Sequence, residues 1–600
     1  MRNVRRPALA ALPAAALTTV LGAAPVQAHA FGPRYDLPLP LDLYLIGAGC
    51  AVALSFVVMA VFFDAPPAHT GRPRIDLLRF RPVQALFHPA VIAVVRSISA
   101  GLFLLVLAAG LFGTQDTLKN LAPTFVWIIW WVGLAYVAAL GGNLWPAVNP
   151  WSIVFAGLER SLRRFGPRTR LDLGLAYPSS LGVWPAVALF GLFAWFELIS
   201  EAAQVPDTLA TSILIYSGLT WLGMFAFGRN VWLAHGEAFS LVFGVLGRFA
   251  PIGAPERDSP NGPPRRWHLR PYAGGLVVET PCRLSMTAFV LLMLSTVTFD
   301  GFKETPLWAG LLGWVALRQW LQPLLLGLHD LGLDYRAVLG TVTLAVFPIL
   351  FLAVYLGFAW LAKRASGSAR PLAEIAGLFV FSLVPIAIAY HLAHYLSYLL
   401  LAGQLIVPLA SDPFGIGWNL FGTAGHGIAI GIIGAEFVWH FAVVAIVVGH
   451  VLAVGVAHFV ALRVFGTASA ALRSQYPFLV MMVAYTMASL WILSQPIIAS
   501  ASLILLRSPS DTVSLAPLEF REFCLDLAAQ DEIRYDFRSD QPVEFNIHYH
   551  DGMKIQFPVQ LSGITVHADK FVAEGDRLYC LMWTNQSLGT ASLTYQVMRP

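Results

Sequence analysis

Histidine and carboxylate recur at helical spacing inside two long apolar stretches of this chain. AYHLAHYLSYLL carries His391-x-x-His394, and GAEFVWHFAVVAIVVGH carries Glu436-x-x-x-His440. Ionisable side chains inside apolar spans are costly and face a bundle interior or a wet cavity, so these four residues are the foremost candidates for chemistry. On a helix, positions 391, 394, 395 and 398 share one face, which makes His391, His394, Tyr395 and Tyr398 a polar stripe. Glu436 and His440 lie one turn apart on the next span, at a matching depth. Antiparallel neighbours would bring three imidazoles and one carboxylate together. Such a set suits zinc, copper or iron with an open coordination position, Glu436 doubling as a general base. The competing reading is hydrogen bonding between helices, for which Tyr395 and Tyr398 supply hydroxyls, and a third is proton or ion conduction. Asp300, in TFDGFKETPLW, is a further candidate general base or supporting acid. Glu197, Glu201, Glu304 and His426 are weaker ones. His450 and His458 are lesser candidates, since His458 lies too far along the helix to join His440 and His450 is rotated off its face.

A second histidine pair stands near the C-terminus. His548 and His550, in NIHYH, alternate as strand residues do and therefore share a face, a spacing used by copper and zinc sites; His567 is a third candidate. Cys580-x-Met582 lacks the intervening histidine of a cupredoxin. His29 would become an amino-terminal copper ligand if a signal peptide were cut after Ala28, and a cut after Ala30 would remove it.

The elements that position these residues follow from composition. Hydrophobic residues are 57% and charged residues 12% of the chain, with mean hydropathy +0.68, against roughly one-quarter charged in soluble domains. That is an all-α polytopic membrane bundle. The net charge of +4 comes without a basic patch interleaved with aromatics, so nucleic acid is not an expected partner. Residues 1–28 read as a signal peptide, with Arg2, Arg5 and Arg6 before an apolar run. About ten spans follow within 29–500, near 41–63, 91–113, 124–142, 180–200, 209–228, 284–300, 337–362, 375–401, 432–462 and 477–499. Arginine-rich loops alternate with poor ones, which predicts a bacterial cytoplasmic (inner) membrane protein with both mature termini outside. Stretches 142–165 and 236–253 read as re-entrant or interfacial segments, 254–271 as a cytoplasmic linker, and 308–336 as one or two surface helices.

From 513 to 600 the pattern changes to strand alternation broken by Asp-Gly, Ser-Gly and Glu-Gly turns, which predicts an exported β-sandwich. Cys524 and Cys580 sit near opposite ends of that domain in an oxidising compartment, so a disulfide joining its first and penultimate strands is expected. Cys50 and Cys282 should remain thiols.

The early Cys524, the charged hairpin and the ending YCLMWTN resemble the GOLD β-sandwich domain of secretory-pathway cargo proteins, which implies an accessory module with a protein partner. HAFGPRYDLPLPLDLYLIGAGCAVALSFVV, GNLWPAVNPW, TFDGFKETPLW and SQYPFLVMMVAYTMASLWILSQPI resemble bacterial membrane proteins labelled fenitrothion hydrolase, over residues 29–500. That resemblance implies hydrolysis of an organophosphate-type triester entering from the lipid bilayer, with a divalent metal as the natural Lewis acid. The chain lacks a G-x-S-x-G elbow, an H-E-x-x-H zinc motif and a P-loop, which disfavours serine hydrolase, zincin and ATPase classes. Two alternatives stand beside the metal-dependent hydrolase. One is a protein that handles or transports copper or another metal ion; the other is a haem protein with His394 and His440 as axial ligands.

Overall fold

The structure, a computed structural model, describes residues 39–63, 75–166, 170–253, 267–499, 510–515, 520–551 and 554–598, apart from 317, 319, 332, 576, 586 and 588. The proposed signal peptide, its cleavage sites and His29 lie outside the described residues. The chain divides into two units, Met1–Gly301 with Gly340–Ser494, and Phe302–Leu339 with Gln495–Pro600.

The first unit is a helical bundle. Among the described residues, ten helices are long and apolar enough to cross a membrane: α1 (Leu41–Phe62), α2 (Pro89–Phe112), α3 (Leu121–Leu140), α4 (Ser179–Leu198), α5 (Pro206–Phe227), α6 (Leu284–Lys303), α7 (Tyr335–Ser366), α8 (Leu372–Ser411), α9 (Ala435–Val464) and α10 (Ala468–Gln495). Each has the roughly 20 residues that a bilayer core requires, so this is a multi-pass membrane protein. Local sequence sets the helix starts. Pro89 and Pro206 stand in first turns, where the missing N–H costs nothing. Asn120 caps α3 by accepting from the Ala122 N–H at 2.9 Å and also donates to the carbonyls of Ala109 and Thr114.

α6 and α8 are the most enclosed spans, whereas α2 and α7 expose most of their surface as lipid-facing helices do. α8 is broken in its first third. Residues Val380–Leu383 tighten into a 3₁₀ turn before Pro385, whose ring would otherwise meet the carbonyl of Phe381. His391 and His394 lie about two and three turns beyond this break. Gly449 of α9 seats directly on Ala389 and the backbone of Pro385, so the two helices meet through small residues.

α3 also departs from α-helical winding. Thr124–Gly133 is π-helical and carries Trp127, Trp130 and Trp131, and such stretches often mark functional positions. The two expected re-entrant stretches become short helices, Trp145–Val148 and Pro150–Leu162 in one and Ala238–Gly247 in the other. The expected linker 254–271 is shorter than its composition suggests. Residues 254–266 lie outside the described residues, but His268–Leu269 pairs with both Ile252–Gly253 and Ile75–Asp76.

In the second unit, 308–336 holds two helices, Pro306–Ala316 and Gln322–Asp330. The described residues of the C-terminal domain form six strands: β1 (Ser510–Leu515), β2 (Phe520–Leu527), β3 (Glu532–Asp551), β4 (Lys554–Val572), β5 (Arg577–Asn585) and β6 (Ala591–Met598). Pairing runs β1-β6-β3-β5-β2, with β4 on the other edge of β3. The first half of β3 pairs with β6 and its second half with β5, the register breaking around Asp540-Gln541-Pro542. Pro542 has no N–H for a ladder, which lets the halves diverge. The sheet therefore folds over on itself. Phe523 of β2 and Tyr595 of β6 are not neighbours in pairing order, yet their rings lie 6.3 Å apart across one core. The two layers expected of a sandwich are thus built from one curled sheet. β6 buries Ala591, Leu593, Tyr595 and Val597 and exposes the alternate residues, the period-2 pattern its sequence shows.

Candidate functional site

Asp300 is the anchor of the intramembrane site. It lies on α6 one turn beyond Thr296 and Val297, so that Met293, Thr296, Val297 and Asp300 form one helical face. Its carboxylate is buried and its Oδ2 accepts from the Tyr395 hydroxyl at 2.6 Å while facing His394 Nε2 at 3.0 Å. Two consecutive residues of α8 thus close on one carboxylate oxygen. A phenol, an imidazole and an acid in one hydrogen-bonded unit can store or pass a proton.

His391 stands next to this unit. Its ring lies 4.7 Å from that of Tyr395 and 6.1 Å from Trp131, and the Tyr136 hydroxyl donates to the carbonyls of His391 and Leu392. His391, Tyr395, Trp131, Thr296 and Glu197 line a cavity of about 40 Å³, completed by apolar residues of α4, α6 and the Ala238–Gly247 helix. His391 Nε2 and Trp131 Nε1 are buried and have no hydrogen-bond partner among the described residues. A cavity this size accommodates one or two waters, and two unsatisfied polar atoms on its wall give water a reason to be there.

The structure does not gather the four residues that the spacing singled out. Among the described residues, His391, His394, Glu436 and His440 do not form a group of three or more with ligand atoms within 4.8 Å of one another. Glu436 and His440 are exposed, and His440 Nδ1 lies 2.9 Å from the carbonyl of Glu436 on its own helix. The reason is rotational. α9 turns inward along Trp439, Ala442, Ile446, Gly449 and Ala453, and Glu436 and His440 lie more than about 100° around the helix from the centre of that stripe. Asp300 Oδ2 and His394 Nε2 could offer two ligand atoms to a metal, one fewer than the three protein ligands usual in a catalytic zinc site. A haem between His394 and His440 fits no better, since one imidazole is held by Asp300 and the other lies on an exposed face.

The remaining candidates separate clearly. Glu201 and His426 are exposed, as is Glu304 within its own unit. His450 is buried, with Nδ1 2.8 Å from the Ile446 carbonyl and its ring 5.9 Å from Tyr485. His458 bridges Gln475 Oε1 at 3.0 Å and the Phe63 carbonyl at 2.7 Å, which ties α9 to α10 and to the end of α1.

A buried carboxylate that spacing arguments passed over is Glu237. It caps the Ala238–Gly247 helix, accepting from the N–H groups of Phe239 and Ser240 at 2.9 and 2.8 Å. Tyr216 donates to it at 2.7 Å, Trp145 at 3.3 Å and Asn149 at 3.4 Å. The short helices of stretches 142–165 and 236–253 are joined through this one side chain. An acid alone in GEAFSLVFG was the available signal.

In the C-terminal domain, Cys524 and Cys580 are disulfide-bonded across β2 and β5, and Cys50 and Cys282 are free. The disulfide joins the second and penultimate strands, because β1 precedes Cys524. His548 is buried, with Nε2 2.9 Å from Glu522 and Nδ1 2.8 Å from Asn546 Oδ1. The side chain of His550 lies outside the described residues. His567 is half-buried and 4.0 Å from Asp569. Among the described residues, the one group of three with ligand atoms within 4.8 Å of each other is Glu522, His548 and Cys580. Neither the models of known protein families nor the curated proteins include a match to this chain.

Proposed function

We propose that the protein is a multi-pass enzyme of the bacterial cytoplasmic membrane, with both mature ends outside, that hydrolyses an apolar ester of the organophosphate-triester type at the α6/α8 centre. The observation that supports this most is the pair of unsatisfied polar atoms, His391 Nε2 and Trp131 Nε1, on a water-sized cavity beside the Asp300–His394–Tyr395 unit. His391 takes a proton from a water in the cavity, the water oxygen attacks phosphorus, and the P–O bond to the leaving group breaks. Tyr395 bridges the two parts of the site: its hydroxyl is held by Asp300 and its ring lies against His391. The Asp300–His394 pair keeps negative charge beside the imidazolium that forms. The triester itself is too large for a cavity of about 40 Å³, so it binds from the lipid side as the spans part. The donor set does not complete a metal centre, and each step is carried by the chain's own residues.

The test is release of nitrophenolate from a nitrophenyl phosphotriester by the full-length protein in lipid nanodiscs. H391F and W131F are expected to reduce the rate at least 100-fold and about 10-fold respectively. A wild-type rate no higher than that of empty nanodiscs would overturn the hydrolase reading.

A further inference from the structure

The C-terminal sheet carries a second constellation that hydrolysis does not use. Register places Cys524, Cys580 and His548 opposite one another in a single row across β2, β5 and β3, with Glu522, Met582 and Asn546 forming the next row on the same face. The intervening residues Phe523, Leu581 and Ile547 point the other way into the core. The row is therefore on the outer face of the sheet, yet His548, Glu522 and Cys580 are buried, and the Phe557 ring of β4 lies 5.7 Å from the imidazole. Cys524 is half-buried and is the more accessible sulfur.

We propose that this row is a disulfide-gated metal site, closed while Cys524 and Cys580 are bonded and able to hold a thiophilic divalent ion of the Zn²⁺ type once they are reduced. The ligands are Cys524 Sγ, Cys580 Sγ, His548 Nε2 and a Glu522 carboxylate oxygen. The gate works by ordinary exchange chemistry with a dithiol. One thiolate of the dithiol attacks Cys524 Sγ, the S–S bond breaks, and its electron pair leaves on Cys580 Sγ beside His548. The dithiol's second thiolate then displaces Cys524 and departs as a disulfide, having supplied two electrons. Metal binding displaces the protons of the two thiols.

Geometry favours a tetrahedral ion at this point. Ligand atoms around Zn²⁺ lie roughly 3.3–3.8 Å apart, given bonds of about 2.0–2.3 Å. The Glu522, His548 and Cys580 ligand atoms already lie within 4.8 Å of one another, and Cys524 stands opposite Cys580 in the same row. Asn546 holds Nδ1 and leaves Nε2 turned toward Glu522 and the sulfur, the orienting contact that metal-bound histidines commonly have. In the oxidised domain each sulfur spends its bonding on the other, which is why the site is shut.

The experiment uses the full-length chain in detergent with C50S and C282S, so that only the sheet cysteines can respond. One sample is kept oxidised; another is reduced with a phosphine and desalted without air. Zn²⁺ uptake is then measured against a chromophoric chelator, and Co²⁺ serves as a spectroscopic stand-in. The expected result is one Zn²⁺ per chain only after reduction, with thiolate-to-cobalt charge transfer, tetrahedral d–d bands and X-ray absorption giving two sulfur and two nitrogen or oxygen neighbours. E522Q is expected to weaken binding about 10-fold and H548A about 100-fold. Equal uptake by the oxidised protein, no uptake by the reduced protein, or uptake without a sulfur signature would each overturn the proposal. The reduced C50S and C282S protein with His548 intact decides the matter even if H548A does not fold.

Discussion

Among the described residues stand two largely buried histidine–carboxylate pairs of nearly the same length, His394–Asp300 at 3.0 Å in the bundle and His548–Glu522 at 2.9 Å in the sheet. Taken alone they are interchangeable. What surrounds them is not. Asp300 also takes the Tyr395 hydroxyl, and beyond Tyr395 lies His391 on a cavity with two unsatisfied polar atoms. The His548 pair has Asn546 on one side, a disulfide sulfur on the other and an aromatic ring against it. On the function proposed above, the first pair acts on a molecule that enters. The second is placed to respond to the state of its own cysteines. A short imidazole–carboxylate contact is therefore a component whose use is set by its neighbours.

Exchanging the carboxylates for amides breaks the comparison most sharply. D300N keeps the shape but offers His394 and Tyr395 an amide in place of an acceptor-only group, and the phosphotriesterase rate is expected to fall about 100- to 1,000-fold. E522Q in the same assay should stay within about twofold of wild type. Equal losses in the two variants would show that the pairs are not functionally distinct.

The next largest effect concerns the sheet. Cys524 and Cys580 close a loop with a sequence separation of 56, so C524S with C580S should destabilise the C-terminal domain by about 2–4 kcal/mol. Urea denaturation followed by hydrogen exchange of the strand amides of that sheet would show the midpoint fall. The hydrolytic rate of folded protein should not change. A rate that falls together with the sheet's stability would erase the division of labour drawn above.

How far the sequence revealed this arrangement depends on what kind of signal each part emits. Ten spans were legible because apolar runs of roughly 20 residues have one physical meaning. The cysteine pairing was legible from spacing and compartment. His391 and His394 were legible as polar residues where lipid forbids them. Which helix would meet them was not. The depth of Glu436 and His440 matched, but depth is one coordinate and rotation about the helix axis is another. The small-residue stripe through Ala442, Gly449 and Ala453 sets that rotation, and it turns the polar pair away. Asp300 received less weight because it sits at a span's end, where a carboxylate is usually solvated. Glu237 was hidden because its six donors come from three separate stretches of chain. In the sheet, the His548 partner is cross-strand, so alternation within one strand could not name Glu522 or Cys580.

A smaller effect separates the two faces of the sheet. Burial, with Asp569 beside it, pushes the Tyr535 phenol up to about 12. The folded value is higher than the ordinary value near 10, so the neutral phenol is favoured by folding. This contribution is complete below pH about 10 and is lost as pH rises toward 12. Y535F should therefore move the alkaline unfolding midpoint of the domain upward, read by near-ultraviolet circular dichroism. Tyr535 belongs to the core and the Cys524–His548 row to the outer face, so the shift should appear equally in oxidised and reduced protein. A shift seen in one redox state alone would mean that the faces are coupled.

The smallest expected effect carries the most information about the bundle. H440A and E436Q alter two ionisable residues within a span at the depth of His391 and His394, and depth alone assigns them a large role. Rotation assigns them almost none: both are exposed, and His440 is bonded back to its own helix. Each substitution should leave the hydrolytic rate within about twofold of wild type, while H394A, at the same depth on the enclosed face of α8, should follow D300N. The contrast is measured in one assay on three single variants. If H440A instead lost activity as H394A does, α9 would have to turn by more than about 100° in the working state, carrying Gly449 off Ala389 and forcing a bulkier stripe into the α8 contact. Such a turn would cost the close approach of α9 to α8 at Gly449, which is why an unchanged rate is the expected result.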